Sequence, residues 1–345
     1  MKIIVDAMGG DLAPKEIVLG ALDAVKSQNV EIVLVGKGEA ILEVLSSHNI
    51  QTLPQGVEIA NAEDVVDMHD DPTSVLKKRP DSSMVVGLKM LADGAGDAFV
   101  SAGSTGALLT AATLTVKRVK GIRRAAMGPT IPTEKGPCVI MDCGANAECT
   151  AEFLLQFAHM GSIYAEQVLG IENPRVALLN IGTEDTKGGA LQREAYALLM
   201  NAAKEHSLNF IGNIEGRDVP LGGADVVVTD GFTGNVLLKV FEGTAIYLGK
   251  VVKGIFKKNV FTMLGALFCK SGINGFKKMM DYREVGGTPF IGLKKPVIKA
   301  HGSSDRRAIE CAVRQAKATV QSGLCDVISD QIDQMHATQE AANVK

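Results

Sequence analysis

The chain lacks the features that mark a secreted, membrane-spanning or nucleic-acid-binding protein. Among its 345 residues there is no tryptophan, aromatic residues make up only 4%, and the six cysteines form no C-x-x-C pair. No apolar run approaches the ~20 residues of a membrane span, and the first apolar run is too short for a signal peptide. The formal net charge of −3 gives no reason to expect a nucleic-acid partner. We therefore expect a cytoplasmic protein with reduced thiols.

Common cofactor and catalytic motifs are also missing. Gly36 and Gly38 begin a dinucleotide fingerprint, but Ile41 stands where the third small residue belongs. The spacing within 243–250 does not fit a Walker loop, and alanine stands where a nucleophile elbow around Ser104 needs glycine. The six histidines fall in no zinc-ligand spacing. We expect neither a metal nor an organic cofactor.

Glycine, by contrast, is abundant and unevenly placed. There are 37 glycines, about 11% of the chain against a usual ~7%. Many of them lie in junctions where a short apolar run ends in glycine and small polar residues, and a helical pattern usually follows. These junctions cover 3–11, 98–107, 138–146, 176–184, 209–218, 226–235 and 297–305. Each is typical of a parallel strand that turns into a helix.

The alternation of strand and helix predicts an α/β fold with a three-layer, mostly parallel sheet and helices on both faces. We interpret residues 1–345 as a single two-lobed α/β domain. Glycine turns and helix N-termini favour anions. If several of these turns lie at one edge, the chain is built around an anion site, and phosphate is the anion we expect.

Nine residues at these turns are candidates for binding phosphate, through helix-start amides, hydroxyls or the backbone freedom of glycine. They are Gly9, Gly10, Ser104, Thr105, Asn146, Gly234, Asn235, Ser303 and Ser304. Capping of the helices is an equally good interpretation of the asparagines. The chain offers many such turns and few protein nucleophiles, so bound phosphate itself is expected to attack an electrophilic carbonyl.

Three further residues are candidates for catalysis. Lys187 lies in a polar turn and is the first choice for a cationic contact with phosphate or an oxyanion, although a solvated lysine looks the same in sequence. His301 precedes a helix and can protonate a leaving group, or donate to the backbone in a structural role. Asp230 ends a strand, where it serves the site or caps the turn.

One segment differs from the rest of the chain in charge. Between residues 250 and 280 there are lysines at seven positions and no acid, interleaved with apolar residues. We predict a basic amphipathic helical projection over 247–282. It either contacts an anionic membrane surface or an acidic protein, or packs in a dimer interface with its lysines solvated. The candidate contact residues are Lys253, Phe256, Lys257, Lys258, Phe261 and Leu264.

A series of motifs in this order resembles the PlsX-type phosphate acyltransferases of bacterial phospholipid synthesis. The motifs are DAMGGD, MDCGAN, NIGTEDTKG, GNIEGRD, VTDGFTGN, GGTPFIGL and AHGSS, spread over about residues 1 to 325. The resemblance implies transfer of a fatty acyl group from acyl carrier protein to inorganic phosphate, which gives acyl phosphate. One departure is Ser104, where members of the family often have asparagine.

The resemblance also implies partners and a fold. It implies a homodimer with an isopropylmalate-dehydrogenase-like α/β fold, peripherally associated with the membrane beside the membrane acyltransferase that uses acyl phosphate. Because a fold does not fix the chemistry, three alternatives stay open. They are a short-chain phosphotransacetylase, a dehydrogenase of the same fold, and a non-catalytic membrane-peripheral scaffold for the carrier protein.

Replacing Lys253, Lys257 and Lys258 together by glutamate reverses the charge of the predicted projection. We expect this variant to dissociate from anionic vesicles or to bind acidic carrier protein more weakly than the wild type, because like charges repel. Vesicle co-sedimentation and a carrier-binding assay measure the two effects. Unaltered behaviour in both assays would argue against either role.

Overall fold

A computed structural model of the chain describes residues 1–67, 69–279 and 286–332. The strands are β1 (Lys2–Asp6), β2 (Glu31–Gly36), β3 (Val57–Asn61), β4 (Ala98–Ser101), β5 (Ala126–Met127), β6 (Thr130–Thr133), β7 (Gly136–Met141), β8 (Val176–Asn180), β9 (Phe210–Glu215), β10 (Val226–Val228), β11 (Thr288–Ile291) and β12 (Val297–Lys299). The helices are α1 (Lys15–Gln28), α2 (Gly38–Ser47), α3 (Val75–Lys78), α4 (Ser83–Ala92), α5 (Thr105–Thr115), α6 (Ala151–Gln167), α7 (Ala190–Lys204), α8 (Gly231–Phe256), α9 (Val260–Phe268), α10 (Lys270–Met279) and α11 (Arg306–Gln321).

The strands form two sheets. The first has seven strands in the order β3-β2-β1-β4-β12-β11-β5, and the second has five in the order β6-β7-β10-β8-β9. Pairing is parallel except at β11, which runs antiparallel to β12 and β5, and at β6, which runs antiparallel to β7. The predicted α/β class with mostly parallel strands is therefore confirmed. Six of the seven glycine junctions begin in a strand, and the seventh, 209–218, begins one residue before β9.

Alternating side chains place a helical layer on each face of the first sheet. Ile3 and Val5 of β1 pack in a cluster with residues of α1 and α11, whereas Ile4, between them, packs in a cluster with residues of α4 and α5. This alternation is the two-residue period of a strand that is buried on both faces. The second sheet is covered in the same way, since Val226 packs beneath α6 and Val227 contacts the cluster at the base of α8.

Helix α8 leaves the body of the protein. It has 26 residues, and its fully buried positions are Gly231 and Gly234 in the first turn. Helix α9 has no buried residue, and its Phe261 and Phe268 are 84% and 88% exposed. Of the predicted projection, residues 247–279 are helical apart from short turns, and 280–282 lie outside the described residues. No helix in the described part of the chain combines the length and hydropathy needed to cross a membrane.

The start of α8 needs glycine for steric reasons, which gives a matched pair of substitutions. A Cβ on Gly234 would lie 2.0 Å from the carbonyl oxygen of Asp142, whereas a Cβ on Gly243 would meet nothing within 4 Å. We expect Gly234→Ala to lower the free energy of unfolding by about 2 kcal/mol or more. Gly243→Ala is the control and should raise it by up to about 1 kcal/mol, because alanine favours helix. Urea titration measures both values, and equal stability of the two variants would contradict the close approach.

Candidate active site

A cavity of about 430 Å³ lies between the two sheets. Loops that follow β1, β4 and β12 of the first sheet line one side, and the edge strand β6 and helix α8 of the second lobe line the other. The polar residues on its wall are Asp11, Thr105, Thr130, Asn235, Lys239, Glu242, Thr288, Lys299 and His301. Its apolar residues include Met127, Ile131, Pro132, Leu238, Phe241 and Ile246. One cavity therefore combines anion-binding groups with an apolar wall.

A buried carboxylate holds the turns of the first sheet together. Asp6, at the end of β1, is 1% exposed and accepts hydrogen bonds of 2.6 Å from the hydroxyls of Ser83 and Ser101. Burial raises the pKa of Asp6, and the two hydroxyl donors oppose that shift. The Ser101 hydroxyl also accepts from the backbone N–H of Gly103 at 3.0 Å. Asp6 thereby fixes the turn after β4, which contributes Gly103 and Thr105 to the cavity.

The β1 turn packs tightly against the turns after β4 and β12. A Cβ on Gly9 would lie 2.8 Å from the backbone nitrogen of Gly103, and Gly10 has a φ of +106°. The backbone N–H of Asp11 donates to the carbonyl of Gly302 at 2.8 Å. Gly9 and Gly10 are thus held in a close backbone junction beside the cavity. Neither is among the described residues that line it.

Helix α5 presents its N-terminus to the same cavity. Ser104 is its N-cap residue, but the Ser104 side chain makes no capping hydrogen bond, and Thr105 in the first turn lines the cavity. The first amides of a helix have no intrahelical acceptor. They are therefore available to bind an anion.

Lys299 is the last residue of β12, His301 lies in the loop after it, and both line the cavity. The ammonium group of Lys299 donates to the carbonyls of Ala102, at 3.4 Å, and Ala300. Burial lowers the pKa of Lys299 to about 8. Burial and the nearby ammonium groups of Lys239 and Lys299 lower the pKa of His301. Its Nδ1 accepts from the backbone N–H of Ser303 at 3.3 Å, which assigns the proton of the neutral ring to Nε2.

A second buried carboxylate organises the turn after β7. Asp142 is fully buried and accepts hydrogen bonds from the backbone N–H groups of Met127, Cys143 and Asn146 at 2.7, 2.7 and 2.6 Å. Burial raises the pKa of Asp142, and these donors oppose the shift. The Asn146 side-chain amide donates to Asp142 at 3.1 Å and to the carbonyl of Ala125 at 2.9 Å. Both donors of Asn146 are thus engaged within the protein.

The same turn positions the start of α8. Asp230 is the N-cap, where it accepts from the Thr233 backbone N–H at 2.8 Å and from its hydroxyl at 2.7 Å. Gly234 lies against Asp142, and Asn235 lines the cavity 3.6 Å from where a Cβ of Gly144 would lie. Among the phosphate-binding candidates Asn146, Gly234 and Asn235, only Asn235 is among the described residues that line the cavity. Asp230 has the capping role that the sequence left as an alternative.

Three other candidates, Lys187, Ser303 and Ser304, are not among the described residues that line the cavity. Lys187 is about half exposed and lies 3.8 Å from Glu184, in the loop between β8 and α7. Ser303 contacts the His301 ring, and Ser304 is buried with its N–H donated to the His301 carbonyl at 3.0 Å. Their roles in binding phosphate stay predictions.

The predicted surface contacts are mostly exposed. Phe256 is half-buried, and the exposed residues are Lys253, Lys257, Lys258, Phe261 and Leu264.

Lys299, Lys239 and Glu242 line the cavity but are not among the sequence candidates. Lys299 ends an apolar strand, and a charge at that position is a signal that could have identified it. Lys239 and Glu242 form an ion pair of 2.8 Å on α8. A lysine and a glutamate three residues apart are common on solvent-exposed helices, so their spacing does not indicate a binding site.

The fatty acid synthesis protein family model matches residues 1–327. A curated relative from Desulfitobacterium hafniense, named phosphate acyltransferase, is 47% identical over 341 residues, which is 99% of this chain and 100% of the relative. The chain belongs to this family. The resemblance of its motifs to phosphate acyltransferases is confirmed, and the protein is an enzyme of the acyltransferase class.

Solved structures of enzymes with other names share this fold. A phosphotransacetylase from Streptococcus pyogenes is similar with a TM-score of 0.64 and 19% identity, over 93% of this chain and 94% of that one. A Salmonella typhimurium structure, provisionally assigned as a 4-hydroxythreonine-4-phosphate dehydrogenase, has a TM-score of 0.53 and 13% identity, over 92% and 99%. At these identities the likeness concerns the fold alone. The acyltransferase family thus shares its α/β architecture with enzymes of other names.

The hydrogen bonds of Asp142 predict a graded loss of stability. Asp142→Ala leaves three backbone N–H groups, one buried and two partly buried, without their acceptor and should lower the free energy of unfolding by about 3 kcal/mol. Asp142→Asn keeps one oxygen acceptor and should fall between alanine and wild type. Denaturant titration of the three proteins measures the series. An alanine variant as stable as the wild type would contradict the organising role of the carboxylate.

Proposed function

We propose that the protein transfers a fatty acyl group from acyl carrier protein to inorganic phosphate and forms acyl phosphate for phospholipid synthesis. The observation that carries this proposal is the cavity between the sheets, where a helix N-terminus and two basic side chains lie beside an apolar wall. The polar part suits phosphate. The apolar part suits the chain of an acyl donor. Membership of the acyltransferase family supports the same reading.

The reaction needs positioning and charge stabilisation more than a protein nucleophile. An oxygen of the phosphate dianion attacks the thioester carbonyl carbon, and the carbonyl π electron pair moves to its oxygen. When the tetrahedral intermediate collapses, the C–S bond breaks and the carrier leaves as a thiolate. A thiol has a pKa near ~8.5, so its thiolate leaves readily. The protein contributes orientation of the two reactants and stabilisation of the oxyanion.

His301 is the residue we assign to proton transfer. Its Nε2 carries the proton in the neutral ring, because Nδ1 accepts from the Ser303 backbone. Nε2–H gives this proton to the departing thiolate, and the ring regains one from the phosphate group of the product. Asn235 and the first amides of α5 hold phosphate. Lys187 keeps its proposed cationic role in a loop of the second lobe.

The exposed helices support the proposed partners. One face of α8 carries exposed Phe232, Val236, Val240, Tyr247 and Val251. Their spacing forms a single apolar stripe, which suits a second copy of the chain in a homodimer. The basic and apolar residues of α9 and its neighbouring turns suit an anionic membrane surface or the acidic carrier protein. We place the membrane acyltransferase that consumes acyl phosphate at the same surface.

A short-chain phosphotransacetylase is the second candidate, because the same cavity and the same attack by phosphate would serve a shorter acyl donor. A Streptococcus pyogenes enzyme of that name shares the fold. The two functions differ in the donor they prefer. A strong preference for acetyl-CoA over a long-chain acyl carrier protein would select this alternative.

The proposed function predicts release of free carrier thiol only when phosphate is present. Long-chain acyl carrier protein is mixed with the full chain, and thiol release and hydroxylamine-trapped acyl phosphate are measured with and without phosphate. Asn235→Ala and Lys187→Ala should each lower turnover about tenfold or more. Lys204→Ala, on α7, is the control and should retain wild-type turnover. Release without phosphate would identify a thioesterase instead.

A further inference from the structure

The ammonium group of Lys299 is buried and has no carboxylate within ion-pair distance among the described residues. Lys299 is 9% exposed, and its hydrogen bonds run to the backbone carbonyls of Ala102 and Ala300. The carboxylates of Asp11 and Asp6 act on it from beyond ion-pair distance. A buried charge is costly unless it is paired. The Lys299 ammonium group is therefore suited to pair with a bound anionic ligand.

The position of Lys299 allows an anion bound in the cavity to contact its ammonium group. An ammonium group has three N–H donors, and two of those of Lys299 are directed at carbonyls. Lys299 lines the cavity together with Thr105, at the open N-terminus of α5. The Ala102 carbonyl that accepts from Lys299 belongs to the turn that leads into α5. An anion beside Thr105 can thus accept from the helix amides and from Lys299 together.

None of the described charged groups around Lys299 forms an ion pair with it. Asp6 accepts from Ser83 and Ser101, and Asp11 interacts with Lys299 only at longer range. Across the cavity on α8, Lys239 is paired with Glu242 at 2.8 Å. Burial and the neighbouring ammonium groups lower the pKa of His301, in the loop after β12, and so disfavour its charged form. Among the described basic groups of the cavity, Lys299 is the ammonium without a carboxylate partner.

We propose that Lys299 is the principal phosphate-binding cation of the site and that its protonation controls the affinity for inorganic phosphate. This inference rests on the proposed function for its choice of phosphate. Lys299 is not among the sequence candidates, and Lys187 keeps the oxyanion contact that the sequence analysis offered beside a phosphate contact.

The proposal has a definite pH dependence. Burial lowers the pKa of Lys299 to about 8 in the empty cavity. Phosphate favours the charged form and so raises this pKa when it binds. Binding near pH 8 must then take up about half a proton per site. As pH rises through about 8, Lys299 is neutral in the empty protein and the affinity for phosphate falls.

Kinetics of Lys299→Met tests the role directly, with Lys294→Met as the matched control on an exposed lysine of the same β11–β12 connection. We expect Lys299→Met to raise the KM for phosphate by about 10- to 100-fold, with little change in the KM for the acyl donor. The rise in the wild-type phosphate KM between about pH 7 and about pH 9 should disappear in this variant. Lys294→Met should behave as wild type. A folded Lys299→Met protein with wild-type phosphate KM overturns the proposal.

Calorimetry of inorganic phosphate binding gives a test that needs neither turnover nor a variant. Titrations of the wild type in buffers of different ionisation enthalpy measure the protons taken up. Uptake that increases through about pH 8 and is greatest above it supports Lys299, because uptake is greatest between the pKa of the free and of the bound state. Uptake confined to pH values below about 7 assigns the titration to His301 and overturns the proposal. No uptake in either range also overturns it.

The two proposals fail in different ways. If phosphate binds with proton uptake near pH 8 but no acyl group is transferred, the proposed function fails and the role of Lys299 stands. If transfer depends on phosphate but Lys299→Met keeps its phosphate KM, the function stands and this inference fails.

Discussion

In each of the two sheets, a buried carboxylate at the carboxyl end of an interior strand organises the neighbouring turns. Asp6 and Asp142 are 1% and 0% exposed, and each collects N–H or O–H donors from chain segments that are distant in sequence. A carboxylate removed from water needs such donors. The donors are in turn held in place, so each aspartate fixes the turns around it. The cavity between the lobes inherits its shape from these two centres.

Glycine makes this arrangement sterically possible. At Gly9 and Gly234 the backbone passes so close to a neighbouring turn that a single added carbon would collide with main-chain atoms. The two aspartates and the two glycines therefore act together, since the hydrogen bonds draw the turns in and the missing side chains let them approach. Amides at the start of α5 are left to face the cavity.

Local pattern predicts much of the fold, because a buried parallel strand and the helix after it are coded by neighbouring residues. The apolar runs that end in DAMGG and DCGAN are such cases. The division into two sheets is different, since it depends on pairings such as that of Val297 with Phe99, which no local pattern specifies. Antiparallel β5, of two residues, is too short to leave a periodic signal.

The site shows the same limit of sequence reasoning. Thr105 is the first residue of α5 and Asn235 is the fifth of α8, and both line the cavity. Local pattern reveals such positions, because each helix starts shortly after a strand. Lys299 depends on its long-range surroundings, which comprise a carbonyl 197 residues away and an empty volume beside it. Asn146 has the right sequence position, yet its side chain is used by Asp142. Whether a polar residue serves ligand or fold is decided by tertiary contacts.

The continuity of α8 has a mechanical consequence. Its 26 residues make a rod about 39 Å long, with Asn235 and Lys239 at the inner end and exposed apolar residues towards the outer end. A rod of this length is a lever. Any contact that tilts its outer end also displaces the cavity wall. The angle between α8 and the body of the protein therefore couples the width of the cavity to contacts made by α9 and α10.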